Sequence, residues 1–274
     1  MVKYIVKIGN KNFDTLNKTY VFGILNCTPD SFSDGGNWNT LDLALKRAEQ
    51  MVYEGVDVID VGGESTRPGY TVISDDEEIE RVALVIQKIK ENFDIPISLD
   101  TYKVKVAEAG IQAGVDLIND IWGLKKQKDM AKLIAESGVS CCLMHNREKA
   151  EYSSFIDDVY NDIKKILEIA NENGIKKDKI CIDPGVGFGK TYEQNLIVIN
   201  KLELFNEFKY PILLGTSRKS VIGLALDLPV DERLEGTLAT TAMAVMKGVS
   251  FVRVHDVKEN VRVIRMIEAI KNVV

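Results

Sequence analysis

Cysteine and histidine are scarce in this sequence of 274 residues, which has four of the first and two of the second. The cysteines Cys27, Cys141, Cys142 and Cys181 form no CxxC pair, and each lies in or at the end of an apolar run. This pattern argues against a disulfide framework and against a zinc site, and it indicates buried, reduced thiols.

Long apolar segments and an excess of positive charge are also missing. No run reaches the roughly 18 apolar residues of a membrane span, so we expect no membrane partner. The first fifteen residues contain no signal-peptide pattern, which favours the cytoplasm. With 35 basic and 41 acidic side chains the net charge is −6, which argues against a nucleic-acid partner but allows a local basic pocket for an anionic small molecule.

A linker rich in proline, glycine or serine is absent as well, so residues 1–274 are predicted to form a single domain. The sequence is 45% hydrophobic and 28% charged, as expected of a chain that folds rather than one that stays disordered. Its length is typical of one closed α/β barrel.

Short apolar, β-branched runs recur eight times, and each is followed by a segment with helical periodicity. Strands are predicted at 21–26, 56–62, 96–100, 115–120, 139–145, 179–185, 210–215 and 249–255. Helices are predicted at 40–54, from 75, and at 102–113, 128–137, 154–173, 192–207, 218–226, 231–247 and beyond 255. Continuous apolar runs indicate strands buried on both faces, so the pattern favours a (β/α)₈ TIM barrel over an open doubly wound sheet. Residues 1–20 are predicted to form a β-hairpin outside this repeat.

Polar side chains stand where the predicted strands end. They are Asn26, Asp60, Asp100, Asn119, His145, Asp183, the Ser217-Arg218-Lys219 run, Arg253 and His255. One such residue usually begins a turn or caps a helix. In a barrel, however, the carboxyl ends of all strands meet at one mouth, where active sites of this fold lie.

The residue types at these positions suggest a ligand chemistry. Asp100, Asn119 and Asp183 offer donors and acceptors for the edge of a flat heterocycle. The guanidinium of Arg253 can stack on a ring or hold an anion. With Asn26 and His255 it could hold a phosphate or diphosphate, with Asn26 as an oxygen ligand of Mg²⁺.

Two long loops follow the first two barrel strands, at 27–38 and 62–74. Both are longer than usual βα connections, and loops of this kind commonly act as lids or binding loops. We expect them to close over the mouth and exclude water.

The sequence closely resembles the dihydropteroate synthase family in stretches that cover nearly the whole chain. These are GILNCTPDSFSDGG (23–36), DVGGESTRPG (60–69), SLDTYK (98–103), INDIWG (118–123), LMHNR (143–147), DPGVGFGKT (183–191), GTSRKSVIG (215–223) and RVHDV (253–257). The resemblance implies a barrel enzyme that condenses 6-hydroxymethyl-7,8-dihydropterin diphosphate with 4-aminobenzoate. It also implies a sulfonamide target and a homodimer.

The resemblance further implies roles for individual residues. Pterin contacts fall on Asp60 (as support), Asp100, Asn119, Met144, Asp183, Lys219 and Arg253. The 4-aminobenzoate pocket falls on Phe32, Thr66, Arg67, Pro68, Phe188 and Ser217. The resemblance implies that Asn26, Arg253 and His255 bind the diphosphate, with Asn26 as the Mg²⁺ ligand. The reaction itself is assigned to Asp34, Lys219, Arg253 and His255.

Some of these residues keep a second interpretation. Asp34 either stabilises a cationic intermediate or caps a turn. Ser217 either serves only as a helix cap or caps the helix and also contacts the 4-aminobenzoate carboxylate. Asp60 and Asn119 could be structural, and His145 is interpreted as structural. Alternative functions are a folate-dependent methyltransferase that serves a corrinoid protein and a non-catalytic pterin-binding relative.

Overall fold

The structure, a computed structural model, describes residues 5–16, 18–28, 37–65 and 71–273. Its strands are β1 (Ile5–Ile8), β2 (Lys11–Asp14), β3 (Tyr20–Asn26), β4 (Val58–Gly62), β5 (Ile97–Asp100), β6 (Leu117–Asp120), β7 (Ser140–Met144), β8 (Ile180–Asp183), β9 (Leu213–Leu214) and β10 (Phe251–Val254). Its α-helices are α1 (Asn37–Glu54), α2 (Asp75–Asn92), α3 (Val104–Ala113), α4 (Asp129–Ser137), α5 (Phe155–Glu172), α6 (Tyr192–Asn200), α7 (Ser220–Leu226), α8 (Leu234–Met246) and α9 (Val257–Lys271). Over the described ranges, no helix has the length and apolarity that a bilayer crossing needs.

The eight strands β3 to β10 form one parallel sheet in the order β8-β7-β6-β5-β4-β3-β10-β9. A bridge between Ile182 and Ile212 joins the two outer strands, and the Ile182 N–H donates to the Pro211 carbonyl at 2.9 Å. The sheet thus curls into a barrel with helices between its strands, and the predicted (β/α)₈ fold is confirmed.

The predicted N-terminal hairpin is confirmed too, and its apolar face packs against the barrel interior. β1 and β2 pair antiparallel, with Ile5 opposite Asp14 and Ile8 opposite Lys11. Phe13 is buried against Phe251 of β10, with 5.7 Å between the ring centroids. The hairpin therefore adds to the core at the barrel's amino-terminal end, where β3 and β10 begin.

The side chains of each barrel strand alternate between the inside and the outside of the barrel, and this alternation positions the site. Phe22, Val58 and Phe251 belong to the buried cluster inside the barrel. Because strand side chains alternate between faces, residues two positions further along share this inward face. For β4 and β10 these residues are Asp60 and Arg253. The same interior is therefore apolar below and polar near its mouth.

Two predicted elements are shorter than expected. The segment 210–215 forms strand only at Leu213–Leu214, because Pro211 has no N–H to donate to a ladder. The predicted helix 192–207 ends at Asn200, and a 3₁₀ helix follows at Leu202–Phe208. Leu202 and Phe205, three residues apart, are both buried in this 3₁₀ helix.

The hairpin's contribution can be measured by replacing Phe13 with alanine. We expect the free energy of unfolding to fall by about 3–5 kcal/mol, because the change removes a buried aromatic ring and leaves a cavity. Urea unfolding followed by circular dichroism measures this, with Tyr53→Ala as control, since Tyr53 is 92% exposed. A loss under about 1 kcal/mol in Phe13→Ala would show that the hairpin does not support the barrel.

Candidate active site

Arg253 of β10 joins two carboxylates inside the barrel mouth. Its Nε donates to Asp60 Oδ2 and its Nη2 to Asp100 Oδ2, both at 2.6 Å. Burial alone would lower the pKa of Arg253, but the two carboxylates outweigh it and raise the pKa, so the guanidinium stays charged. The Ser98 hydroxyl donates to Asp60 Oδ1 at 2.5 Å, which gives both Asp60 oxygens a partner within the chain.

Asp100 differs from Asp60 because one of its carboxylate oxygens accepts no hydrogen bond from a described residue. Its Oδ1 is buried and has no hydrogen-bond partner among the described residues. Burial raises the pKa of Asp100 to about 7 against the attraction of Arg253, and the neighbouring Asp60 adds to the rise. An unpaired buried carboxylate oxygen is costly, so this atom is suited to accept a hydrogen bond from a ligand.

The strand register places three predicted residues, Asn26, Asp100 and Asn119, at one level of the barrel. Asn26 pairs with Gly62, Gly62 with Asp100, and Asp100 with Asn119 across four neighbouring strands. Asn119 is buried, yet its side-chain amide makes no hydrogen bond to any described residue. An amide and a carboxylate are therefore available on adjacent strands.

Lys219 and Asp183 face the same space from the other side of the barrel. An added Cβ on Gly215 would lie 3.7 Å from Lys219 Nζ and 3.9 Å from both Asp183 Oδ2 and Arg253 Cβ. Burial lowers the pKa of Lys219 to about 8 against the pull of Asp183. Burial also raises the pKa of Asp183, although Lys219 opposes this. The Lys219 ammonium donates to the Val186 carbonyl at 2.5 Å.

The apolar wall comes from the ends of β6, β7 and β8. Met144 is 3% exposed and belongs to a small cluster with Phe188. Phe188 lies in residues 184–191, the connection between β8 and α6, which we call the glycine-rich loop. The Lys219 ammonium lies 4.7 Å from the centroid of the Phe188 ring. A flat aromatic ligand would find an apolar surface here beside the charged groups.

Ser217 and His255 form a separate polar pair after β9 and β10. The Ser217 Oγ lies 2.9 Å from His255 Nδ1 and accepts the His255 N–H at 3.1 Å. Helix α7 begins at Ser220 with Lys219 as its N-cap residue, so Ser217 does not cap it. The alternative interpretation of Ser217 as a helix cap is wrong, because Lys219 is the N-cap residue of α7 and no side chain of the described residues caps this helix.

His145 lies behind the mouth in a fully buried position. Its Nε2 is 3.2 Å from Asp162 Oδ2, and its Nδ1 is 2.8 Å from Lys190 Nζ. Burial lowers the pKa of His145 to about 4, so the ring is neutral near pH 7. Lys190 also donates to the Gly185 carbonyl at 2.9 Å, which makes His145 part of the support beneath the glycine-rich loop.

Several predicted residues cannot be placed. Asp34, Phe32, Thr66, Arg67 and Pro68 lie outside the described residues.

The sequence analysis missed three kinds of supporting residue. Ser98 holds Asp60, and its position two residues before Asp100 on one strand was an available signal. Lys190 and Asp162 hold His145, and Glu64 and Lys103 hydrogen-bond to the main chain of Ile73. Nothing in residue type or spacing separates these lysines and glutamates from ordinary surface charges.

Comparisons with known proteins agree with this geometry. The profile of the family described as pterin binding enzyme matches residues 22–255. A dihydropteroate synthase of Clostridium beijerinckii is 59% identical over 266 residues, which is 97% of this chain and 99% of the relative.

Two solved structures share the fold over almost their full lengths. Dihydropteroate synthase from Clostridium difficile, crystallised in the presence of pteroic acid, matches with a TM-score of 0.90 and 51% identity over 92% of this chain and 97% of that one. The Yersinia pestis enzyme in a sulfonamide drug complex matches with a TM-score of 0.92 and 37% identity over 98% and 100%. The chain therefore belongs to the pterin-binding enzyme family, among the transferases named dihydropteroate synthase.

Proposed function

We propose that this chain condenses 6-hydroxymethyl-7,8-dihydropterin diphosphate with 4-aminobenzoate, forming 7,8-dihydropteroate and releasing pyrophosphate in folate biosynthesis. The observation that carries the proposal is the pair of carboxylates around Arg253, with one buried oxygen of Asp100 unpaired. The likeness to synthases solved with pteroic acid and with a sulfonamide supports the same substrates and the same class of inhibitor.

The pterin ring would bind by its edge deep in the mouth. Asp100 Oδ1 and Asp183 Oδ2 supply acceptors for its N–H groups, and the Asn119 amide supplies both a donor and an acceptor. Met144 supplies an apolar wall, and Asp60 acts through Arg253, whose orientation it fixes. These roles pair the polar edge of the heterocycle with buried groups that the chain leaves available.

The chemistry would not need a strong base. Loss of pyrophosphate breaks the C–O bond at the carbon beside an electron-rich dihydropterin and leaves a delocalised cation. The amine of 4-aminobenzoate would attack this cation to form the C–N bond, and its surplus proton would pass to the released pyrophosphate or to solvent. The enzyme must therefore stabilise the departing anion and keep water away from the cation. Arg253 and Lys219 supply positive charge at the mouth, and Asp34 is proposed to face the cation from the first loop.

The diphosphate would lie against Arg253, His255 and Asn26. Nε and Nη2 of Arg253 are taken by the carboxylates, so Nη1 and the flat face of the guanidinium remain for the substrate. Within the described ranges no group of three or more His, Cys, Asp or Glu side chains could hold a metal ion. A single amide oxygen from Asn26 suits Mg²⁺ that is held mainly by phosphates and water. When bound, Mg²⁺ would neutralise the leaving pyrophosphate.

The second substrate, 4-aminobenzoate, would bind between the glycine-rich loop and the N-terminus of α7. Phe188 offers a ring face, and Ser217, which follows β9, is proposed to contact the 4-aminobenzoate carboxylate. Thr66, Arg67, Pro68 and Phe32 are proposed to complete this pocket. A sulfonamide would compete there, because it presents an aromatic amine and an anionic group at similar positions.

We also propose a homodimer in the cytoplasm. Exposed apolar side chains on α7, α8 and the short turn between them support the dimer: Leu224, Leu226, Val230, Met243 and Met246. The four cysteines are buried free thiols, which suits a reducing compartment.

The function is tested by following pyrophosphate release from the pterin diphosphate. We expect release that depends on 4-aminobenzoate and Mg²⁺, with one dihydropteroate formed per pyrophosphate. Methyl transfer from methyltetrahydrofolate to a corrinoid protein, or pterin binding without turnover, would contradict the proposal.

Arg253→Lys tests the guanidinium fork while keeping its charge. A single ammonium cannot donate to both carboxylates with the planar geometry of Arg253, so kcat/KM for the pterin diphosphate should fall roughly 100-fold, or about 2.7 kcal/mol. Steady-state kinetics measure this, with Arg262→Lys on the exposed face of α9 as control. Equal kcat/KM in the two variants would remove Arg253 from the substrate site.

Lys219→Arg tests the charge beside Asp183. Because the pKa of Lys219 is lowered to about 8, the wild-type enzyme loses this cation as the pH rises through that value. We expect kcat/KM for the pterin diphosphate to decline above about pH 8 in the wild type. In Lys219→Arg the maximum should be lower, but the alkaline decline should move to higher pH. An unchanged alkaline limb would show that another group titrates.

A further inference from the structure

The turn between β9 and α7 contains a strained residue to which the proposed reaction gives no role. Arg218 has a φ of +56°, in the left-handed region that residues other than glycine rarely adopt. Lys209 and Asp227 also have a positive φ, but each is the C-cap residue of a helix, where this conformation is common. Arg218 ends no helix and lies between Ser217 and Lys219, so its strain points to a role in the site.

The main chain and the side chain of Arg218 are both held by neighbours. Thr237 Oγ1 accepts the Arg218 N–H, and Arg233 Nη1 donates to the Arg218 carbonyl, both at 3.0 Å. The guanidinium donates twice to Asp256, from Nε to Oδ2 at 3.0 Å and from Nη2 to Oδ1 at 2.5 Å. A pair with two parallel hydrogen bonds fixes the orientation of a guanidinium, so these contacts can offset the strain.

The ion pair joins the segments that follow two neighbouring strands of the barrel. Arg218 comes directly after Ser217, and Asp256 directly after His255. Ser217 and His255 are themselves in contact, with 2.9 Å between Oγ and Nδ1. Asp256 is the N-cap residue of α9, yet its side chain makes no capping hydrogen bond there. Both of its carboxylate oxygens accept from Arg218 instead.

Lys219 is the residue whose direction depends on this turn. Its N–H donates to the Thr216 carbonyl at 3.1 Å, which closes the turn around Ser217 and Arg218. Its ammonium reaches the Val186 carbonyl on the opposite side of the mouth. Because Arg218 immediately precedes Lys219, a return of Arg218 to a negative φ would turn the Lys219 side chain away from this position.

We propose that Arg218 and Asp256 are positioning residues for Lys219. The ion pair holds Arg218 in its left-handed conformation, and that conformation directs the Lys219 ammonium into the proposed pterin site. Neither Arg218 nor Asp256 has to touch the substrate. The proposal rests on the proposed function and adds to it the reason why Lys219 occupies its place.

Arg218→Ala and Arg218→Gly separate the conformation from the charge. Both variants lose the ion pair, but alanine is strained at this φ, whereas glycine adopts it freely. We expect kcat/KM for the pterin diphosphate to fall roughly tenfold in Arg218→Ala and no more than about threefold in Arg218→Gly. Equal losses in the two variants would show that the guanidinium acts through its charge, and the proposal would be wrong.

Lys209→Ala and Lys209→Gly form the matched control pair. Lys209 has a φ of +60°, is exposed, and precedes β9 at the end of the barrel opposite the mouth. Glycine should again give a higher Tm than alanine, but kcat/KM should stay within about twofold of the wild type in both variants. A tenfold loss in Lys209→Ala would mean that strain anywhere lowers activity, which would overturn the role of Arg218.

Asp256→Asn tests whether the carboxylate acts through Arg218, and it serves in place of Arg218→Ala if that variant does not fold. An amide offers one acceptor oxygen where the carboxylate offers two. We expect roughly a tenfold fall of kcat/KM in the wild-type background and less than about twofold in Arg218→Gly, where the pair is already absent. Equal losses in the two backgrounds would contradict the proposal.

A measurement on Lys219 itself does not depend on catalysis. Lys219 faces Asp183, Asp100 and Arg253, and burial lowers its pKa to about 8. Carbon-13 NMR of lysine labelled at Cε can follow the resonance that Lys219→Arg removes. The pKa should rise in Arg218→Ala, because an ammonium that leaves the mouth regains water, and it should stay near the wild-type value in Arg218→Gly.

The two proposals fail in different ways. A wild-type protein that makes no dihydropteroate overturns the proposed function, and the Lys219 resonance then still tests the positioning. A wild type that turns over, with the same Lys219 pKa in Arg218→Ala, overturns the positioning alone.

Discussion

The site depends on one guanidinium shared by two buried carboxylates. Arg253 satisfies one oxygen of Asp60 and one of Asp100, and Ser98 satisfies the other oxygen of Asp60. The pocket therefore holds more negative charge than its nearest cation neutralises, and the excess remains on Asp100. A ligand with N–H groups along one edge relieves that imbalance. The unpaired Asp100 oxygen is thus both an unfavourable buried charge in the ligand-free protein and the atom proposed to bind the ligand.

The barrel makes this arrangement possible because strand geometry fixes where the charges meet. Asp60 lies two residues beyond the buried Val58, and Arg253 two residues beyond the buried Phe251. The interior below is apolar, and the hairpin contributes Val6, Ile8 and Phe13 to it. Beyond the strand ends, the Glu64 carboxylate accepts hydrogen bonds from the Ile73 N–H and from Lys103, which follows β5.

Much of the fold, and the gathering of polar residues at the barrel mouth, was predictable from the sequence. Eight apolar runs predicted the barrel, and polar residues such as Asp100 and Lys219 marked its mouth. The early end of α6 and the short β9 were not predictable from periodicity, since they depend on local packing and on Pro211. Lys103 was missed because a buried lysine looks like a surface lysine until its partners, far apart in sequence, are brought together.

The protonation of Asp100 tests the central claim most directly. Carbon-13 NMR can follow the carboxyl resonance that Asp100→Asn removes, across a pH titration with and without a bound pterin. The account predicts a pKa near 7 in the ligand-free protein and a clear fall on binding, because ring N–H groups stabilise the ionised form. A pKa that stays the same on binding would mean that Asp100 does not accept the pterin edge, and the account would be wrong.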